Sequence, residues 1–158
     1  AYGKPIYIRL FGGPGMPIVH NSDIDFEIGK AIPLREGKDV QLIATGSMVH
    51  NALQAAEMLE AEGVSASVVD MHTVKPIDES AIGNDFKLIV TIEEHLPVGG
   101  LGDAVADVLL HRPSHPSLLK LGISRPNEQV GDTDYMLDYN GLSPQAIHHS
   151  ILNRLAGI

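Results

Sequence analysis

The 158-residue sequence contains no cysteine and no tryptophan, and aromatic residues make up only 4% of it. Without cysteine the chain can form no disulfide, no thiolate nucleophile and no cysteine-ligated metal site, which agrees with a reducing, cytoplasmic location. Because aromatic side chains are few, the core must be built from alanine, valine, isoleucine and leucine. Such cores suit helices packed on a sheet, so we expect one compact α/β core.

Basic residues are also scarce, since 11 lysines and arginines stand against 20 acidic residues and give a formal net charge of −9. This charge would repel both a nucleic-acid backbone and an anionic membrane surface. No apolar run approaches the roughly 18 residues of a membrane-spanning helix, and no signal peptide is visible. We therefore expect a soluble protein with neither nucleic acid nor membrane as a partner.

The sequence lacks the common catalytic motifs. The glycines after the third apolar run do not fit G-x-G-x-x-G, and there is no P-loop and no G-x-S-x-G. Gly99, Gly100 and Gly102 have two interpretations: a helix start whose amides hold an anion, or a close turn between strand and helix that needs small residues. Ser47 follows a strand and is interpreted as a helix cap. The histidines show no metal-ligand spacing.

Apolar periodicity predicts alternating strands and helices. Helices are indicated over 48–62 and 101–111, and a last one has Ser143 as its cap and Pro144 at its first position. Strands are predicted at 40–45, 64–71, 86–95 and 116–123, with an edge strand near 29–34 and a strand-like alternation at 6–10. These elements predict a three-layer α/β/α fold around a mostly parallel sheet of about five strands, one of them an antiparallel edge strand.

Polar residues follow the predicted strands, at the edge where α/β proteins bind ligands or partners. Adjacent Glu93 and Glu94 should point to opposite faces of the sheet, one toward a helix or loop and the other toward a cleft. His95 is interpreted as a structural partner of these acids rather than as a base. We expect an interface or strand-end rim made of His72, Lys75, Glu94, His95, Gly99, Gly100 and Gly102. Other small or polar residues follow predicted strands in the same way, namely Thr45, Gly46, Ser47, Thr73, Ser124 and Arg125.

Three stretches together resemble the C-terminal domain of transketolases, above all the C-terminal subunit of split bacterial enzymes. They are "EIGKAIPLREGKDVQLIATGSMV", "VVDMHTVKPID" and "VTIEEHLPVGGLGDAVADVL". The resemblance implies a thiamine-diphosphate enzyme that transfers two-carbon ketol units between sugar phosphates and has no activity in this chain alone. It also implies that the linker at 77–87 is short, so that a helix there is reduced to a turn begun by Asp78.

The resemblance further implies how this chain relates to the complete enzyme. Residues 1–12 would end the pyrimidine-binding domain, 13–39 would be a linker and edge strand, and 40–158 the transketolase C-terminal-like domain. Thiamine diphosphate and Mg²⁺ would be bound by N-terminal domains or a partner subunit absent from this chain, and the complete enzyme would be a homodimer. Arg9 would approach the substrate phosphate, whereas the family's second arginine falls near Gly12.

Other functions stay open on the sequence alone. The chain could end a deoxyxylulose phosphate synthase or the β subunit of the first component of a 2-oxo acid dehydrogenase, both of which share the domain. From another class, it could be a free-standing nucleotide or metabolite binding module that uses the turn at Gly99 to Gly102. It could also be a dimerisation module.

Overall fold

A single sheet lies at the centre of the fold. A computed structural model of the chain describes residues 3–11, 15, 17–124 and 128–158. Within these ranges the strands are β1 Ile32–Arg35, β2 Val40–Ala44, β3 Ala66–Asp70, β4 Leu88–Ile92 and β5 Ser117–Leu121. Their order in space is β1-β3-β2-β4-β5, and all neighbours are parallel except β1, which runs antiparallel to β3. The predicted sheet and its antiparallel edge strand are confirmed.

Helices cover both faces of the sheet. In the described part of the chain they are α1 Met48–Ala61, α2 Leu101–Leu110, α3 Thr133–Tyr139 and α4 Pro144–Leu155. α1 and α4 pack on one face, where Leu42 and Ala44 are fully buried, and α2 packs on the other face, against Ile43 and Ile89. Because both faces are covered, every residue of β2, β3 and β4 is buried, which explains their continuous apolar runs.

The connection from β3 to β4 contains only one turn of 3-10 helix, Glu79–Ala81, as the short linker predicted. The turn follows a cis peptide bond between Lys75 and Pro76. Asp78 caps it, as expected: the buried carboxylate accepts hydrogen bonds from the amides of Ser80 and Ala31, each at 3.1 Å. Asp78 thereby links the turn to the segment before β1.

The carboxyl group of Asp78 makes the stability of this region depend on pH. Burial alone would raise the pKa of Asp78, but the hydrogen bonds from Ser80 and Ala31, with Lys30 3.8 Å away, hold the pKa below its ordinary value of 3.8. A carboxyl group with a lowered folded pKa contributes stability that is complete above its unfolded pKa. That contribution is lost as the pH falls through the folded pKa.

The substitution Asp78→Asn should lower the free energy of unfolding by about 1–3 kcal/mol at neutral pH, because it weakens hydrogen bonds to a buried charge. The difference from the natural protein should begin to shrink as the pH falls below the unfolded pKa of about 4, and it should be lost as the pH falls through the lower folded pKa, where the natural side chain also becomes neutral. Urea unfolding at a series of pH values measures both effects. Asp85→Asn, at an exposed position, is the control and should match the natural protein. A difference that stays constant with pH would contradict this role.

The secondary structure differs from the sequence-based expectations in two places. The alternation of Ile6, Ile8 and Leu10 does not form a strand: residues 3–11 have no regular structure, and these side chains are exposed. A strand needs a neighbour for its backbone hydrogen bonds, and no described strand pairs with this segment. Helix α3 was not predicted at all.

Among the described residues, no helix is both long enough and apolar enough to cross a bilayer.

Candidate functional site

The strand order places a crevice at the carboxyl ends of β2 and β4. From β2 the chain continues to β3 on one side, and from β4 it continues to β5 on the other side. The two connections therefore diverge, and this position is where open α/β sheets usually bind ligands. Ser47 follows β2 and Glu94 follows β4, so the fold brings these two residues together.

Ser47 and Glu94 are joined by a hydrogen bond across this crevice. The Ser47 hydroxyl donates to Glu94 Oε2 over 2.5 Å. Ser47 does occupy the cap position of α1, but its side chain makes no capping bond, so our interpretation of this serine as a helix cap is wrong. The hydroxyl is instead committed to a carboxylate from the neighbouring strand, which fixes the direction of the Glu94 side chain.

A groove of about 870 Å³ opens around this pair, between α1, α3 and the start of α4. Four carboxylates line it: Glu94, Asp132, Asp134 and Asp138. Of the residues that the structure describes, no lysine or arginine lines the groove, and His50 is the one basic side chain there. An acidic lining of this kind repels phosphate groups and favours neutral or cationic groups.

Arg9 contacts Glu94 from the exposed N-terminal segment but does not itself line the acidic groove. Its Nη1 donates to the main-chain oxygen of Glu94 over 2.9 Å. Within the described ranges no carboxylate lies within ion-pair distance of this guanidinium, and none of the residues outside those ranges is acidic. The positive charge of Arg9 is therefore bound to a carbonyl without being neutralised. The position near Gly12, where a second arginine was expected, lies outside the described residues, as does Arg125.

Glu93 points the opposite way, into the start of α2. Only 2% of the residue is exposed, and its two carboxylate oxygens accept hydrogen bonds from the amides of Leu101 at 2.8 Å and Gly102 at 2.7 Å. The predicted divergence of Glu93 and Glu94 is confirmed. Their expected place inside the strand is wrong, because β4 ends at Ile92 and both acids, with His95, lie beyond it.

The glycines around the start of α2 allow close packing, and Gly100 leaves room for the Glu93 carboxylate. A Cβ on Gly100 would lie 1.9 Å from Glu93 Oε2, and one on Gly102 would lie 2.6 Å from the side chain of Lys120. Gly99 adopts φ +76°, and its amide donates to Asp103 over 2.7 Å. The close-turn interpretation thus accounts for all three glycines. Carboxylates of this chain already accept the hydrogen bonds of the main-chain amides that a nucleotide phosphate would need.

Asp103 completes this arrangement at the surface. The amide of Gly99 and the ammonium group of Lys120, 2.7 Å away, together hold the pKa of Asp103 below its ordinary value. The residue therefore stays ionised in moderately acidic solution. Its negative charge lies in the first turn of α2, where it interacts favourably with the positive end of the helix dipole.

The other predicted rim residues lie outside the groove. His72 packs its ring 4.5 Å from that of Phe26, and its Nδ1 is 2.9 Å from the hydroxyl of Thr73. Lys75 is exposed. His95 is exposed and its Nδ1 donates to the Leu96 oxygen over 3.0 Å. None of these three residues lines the groove. Of the predicted rim residues, only Glu94 lines the groove and contacts Arg9.

Comparison with known proteins identifies the family. A family model of the transketolase C-terminal domain matches residues 29–147. The chain belongs to this family. A putative transketolase C-terminal section from Methanocaldococcus jannaschii is 39% identical over 155 residues, which are 98% of this chain and 49% of that protein. The resemblance seen in the sequence is confirmed.

Two further relatives agree. The 6-deoxy-6-sulfo-D-fructose transketolase subunit of Clostridium sp. (strain MSTE9) is 41% identical over 150 residues, covering 93% of this chain and 46% of that one. A solved split gene transketolase, an inactive beta4 tetramer, matches with a TM-score of 0.81 and 39% identity over 90% of this chain and 46% of that chain. This transketolase C-terminal domain thus spans about half the length of these relatives.

The described residues of this transketolase C-terminal domain form no site that fits thiamine diphosphate with its metal. Among the described residues, no group of three or more histidine or acidic side chains is placed to hold a metal ion. The amides of Leu101 and Gly102 are bound by Glu93, and the groove repels phosphate. The residues of this chain therefore do not fit the coenzyme's diphosphate.

Sequence reasoning missed the residues that α3 contributes to the groove, namely Asp132, Asp134 and Asp138. A signal was present: Asp132 caps α3 by accepting from the amide of Tyr135 at 2.9 Å, and Asp134 lies in the first turn. An aspartate followed by polar residues and then a short apolar pattern is a recognisable helix start.

Proposed function

We propose that this chain is the C-terminal part of a transketolase, an enzyme that transfers two-carbon ketol units between sugar phosphates with thiamine diphosphate and Mg²⁺. The observation that supports this most strongly is the 39% identity to a putative transketolase C-terminal section over 98% of the chain. The reaction would take place in the complete enzyme, a cytoplasmic homodimer of the assembled parts. This chain alone would be inactive.

The coenzyme would be held by partner domains or a partner subunit. The residues of this chain fit a diphosphate poorly, which supports the proposal that other domains bind the coenzyme. The solved relative is described as an inactive beta4 tetramer. By extension we propose that this chain, without its N-terminal partner, associates with itself into an assembly that lacks activity.

Within the chain we propose three parts. Residues 1–12 end the pyrimidine-binding domain, 13–39 form a linker and the edge strand, and 40–158 form the C-terminal-like domain. The exposed apolar side chains of residues 6–11 support the first assignment, because they would be covered by a neighbouring sheet. Arg9, at the end of this segment, would bind the substrate phosphate through its remaining guanidinium donors.

The strand-end rim would contact a neighbouring domain or subunit. It consists of His72, Lys75, Glu94, His95, Gly99, Gly100 and Gly102. The loop between β4 and α2 supports this role: Leu96 is 56% exposed and Val98 is 80% exposed. The amides of Gly99, Leu101 and Gly102 donate hydrogen bonds to Glu93 and Asp103 at the end of this loop, which reduces the cost of ordering it on binding.

The proposal is tested by assaying this chain together with its N-terminal partner, thiamine diphosphate and Mg²⁺. We expect transfer from a ketose phosphate to an aldose phosphate, and no reaction when thiamine diphosphate is omitted. A preference for pyruvate as the donor would instead indicate a deoxyxylulose phosphate synthase or a 2-oxo acid dehydrogenase. No reaction with any of these donors would defeat the assignment.

A further inference from the structure

We propose that Ser47 is a positioning residue that keeps the carboxylate of Glu94 away from Arg9, so that the charge of Arg9 stays available for a substrate phosphate. This inference rests on the proposed function, and it gives the C-terminal domain a part in substrate binding. It concerns a residue whose position after a strand otherwise indicates only the start of a helix.

Glu94 is the point where the two contacts meet. Its side chain is bound by the Ser47 hydroxyl at 2.5 Å, while its main-chain oxygen is bound by Arg9 Nη1 at 2.9 Å. The guanidinium thus contacts the main chain of the same residue whose side chain Ser47 holds, and the two charged groups form no ion pair. A Glu94 side chain that was free to turn toward Arg9 would gain from pairing with it, because a charge-assisted pair is stronger than a bond to a neutral carbonyl.

The bond to Ser47 gives the Glu94 carboxylate a different partner. A short hydroxyl-to-carboxylate bond in a partly buried place holds the side chain in one direction, toward the groove. Arg9 then keeps a carbonyl contact that orients the guanidinium without neutralising it. Its other donors can receive phosphate oxygens in the forked geometry that arginine favours.

Removal of the Ser47 hydroxyl would change this balance. The freed carboxylate would sit among the other carboxylates of the groove, Asp132, Asp134 and Asp138, whose repulsion disfavours that position. Because no described lysine or arginine lines the groove, Arg9 would be the nearest cationic partner for Glu94. The resulting pair would compete directly with the phosphate of the substrate.

The experiment uses the complete transketolase, with this chain joined to its N-terminal partner, and compares KM and kcat for phosphorylated and non-phosphorylated aldose acceptors. Ser47→Ala should raise KM for the phosphorylated acceptor about fivefold, near the most that an exposed ion pair is worth. It should leave kcat and the KM of the non-phosphorylated acceptor unchanged. Ser47→Thr, which keeps the hydroxyl, should behave as the natural protein.

A double variant tests whether Glu94 competes with the substrate phosphate for Arg9. Glu94→Gln cannot neutralise Arg9, so adding Ser47→Ala to it should leave KM for the phosphorylated acceptor unaltered. Ser143→Ala is the matched control, because Ser143 donates a similar hydroxyl bond to Asp138 at 2.6 Å elsewhere on the groove. In this variant the ratio of the KM for the phosphorylated acceptor to the KM for the non-phosphorylated acceptor should equal that of the natural enzyme.

The outcomes separate the two proposals. An active natural enzyme in which Ser47→Ala leaves the ratio of KM values unchanged would overturn the role of Ser47 and keep the proposed function. An equal rise of KM for both acceptors would also overturn it, since that result indicates general damage to the site. Absence of ketol transfer in the natural enzyme would defeat the proposed function and this inference with it.

Discussion

Replacement of Glu93 by glutamine should lower the free energy of unfolding by about 3 kcal/mol. The carboxylate is buried, and its two oxygens accept hydrogen bonds from two main-chain amides at the start of α2. A glutamine has the same size but only one side-chain oxygen. It can accept from one amide, and its NH₂ group then faces the other amide as a second donor. A buried amide left without an acceptor costs about 1–3 kcal/mol, and the lost charge adds to this. Urea unfolding followed by circular dichroism measures the difference.

Glu57→Gln provides the control for this prediction. Glu57 is exposed on α1, so the same chemical change there should alter the unfolding free energy by less than about 0.5 kcal/mol. In a domain of this size, the Glu93 variant should also melt roughly 10 °C lower than the natural protein. If both glutamine variants unfolded alike, Glu93 would not stabilise the helix start.

Gly100→Ala should destabilise the chain by about 2–3 kcal/mol, because the new methyl group would lie 1.9 Å from Glu93 Oε2. The backbone of Gly100 is extended, at φ −96° and ψ −155°, so alanine itself is allowed there and the clash is the cause. The loss should be smaller when Glu93 is already alanine, since the closest contact is then gone and only the one with Leu96 O at 2.9 Å remains. A double-mutant cycle in urea measures this coupling.

Gly157→Ala is the control glycine for that cycle. An added Cβ there would meet Arg154 O at 3.7 Å, an ordinary contact, so the change should be close to neutral. Additive effects of Gly100→Ala and Glu93→Ala would contradict the account, because they would show that the glycine does not make room for the carboxylate.

The strands and longer helices could be predicted because their signals are local. Val40–Ala44 is a nearly unbroken apolar run, and Ser143 with Pro144 marks the start of α4 by capping and by backbone geometry that act within one turn. Asp78 was predicted as a cap for the same reason. The segment at 6–10 shows the limit of local patterns, since alternation alone does not supply a neighbouring strand.

The site could not be predicted in the same way, because its contacts join distant parts of the chain. Ser47 and Glu94 are 47 residues apart, and Arg9 and Glu94 are 85 apart. They meet only because β2 and β4 are neighbours, and apolar periodicity does not reveal the order of strands in a sheet. A serine after a strand therefore indicated a helix cap, although its hydroxyl has a carboxylate partner.

The structure also explains why a familiar kind of anion site is closed in this domain. The turn at Gly99 to Gly102 has the small residues and the helix start that phosphate sites use. Glu93 fills that position from within, so the turn stabilises the fold and supports an exposed loop. This closed turn supports our proposal that other parts of the enzyme bind the coenzyme and that this domain contributes through Glu94 and Arg9.

The central claim is that this polypeptide supplies one portion of a transketolase whose coenzyme site lies in another portion. It is tested most directly by measuring thiamine-dependent ketol transfer with this chain alone, with its N-terminal partner alone, and with both together. We predict transfer only in the combined sample. Turnover by this chain unaided, or a combined sample that stays inert with ketose and aldose phosphates, would contradict the account.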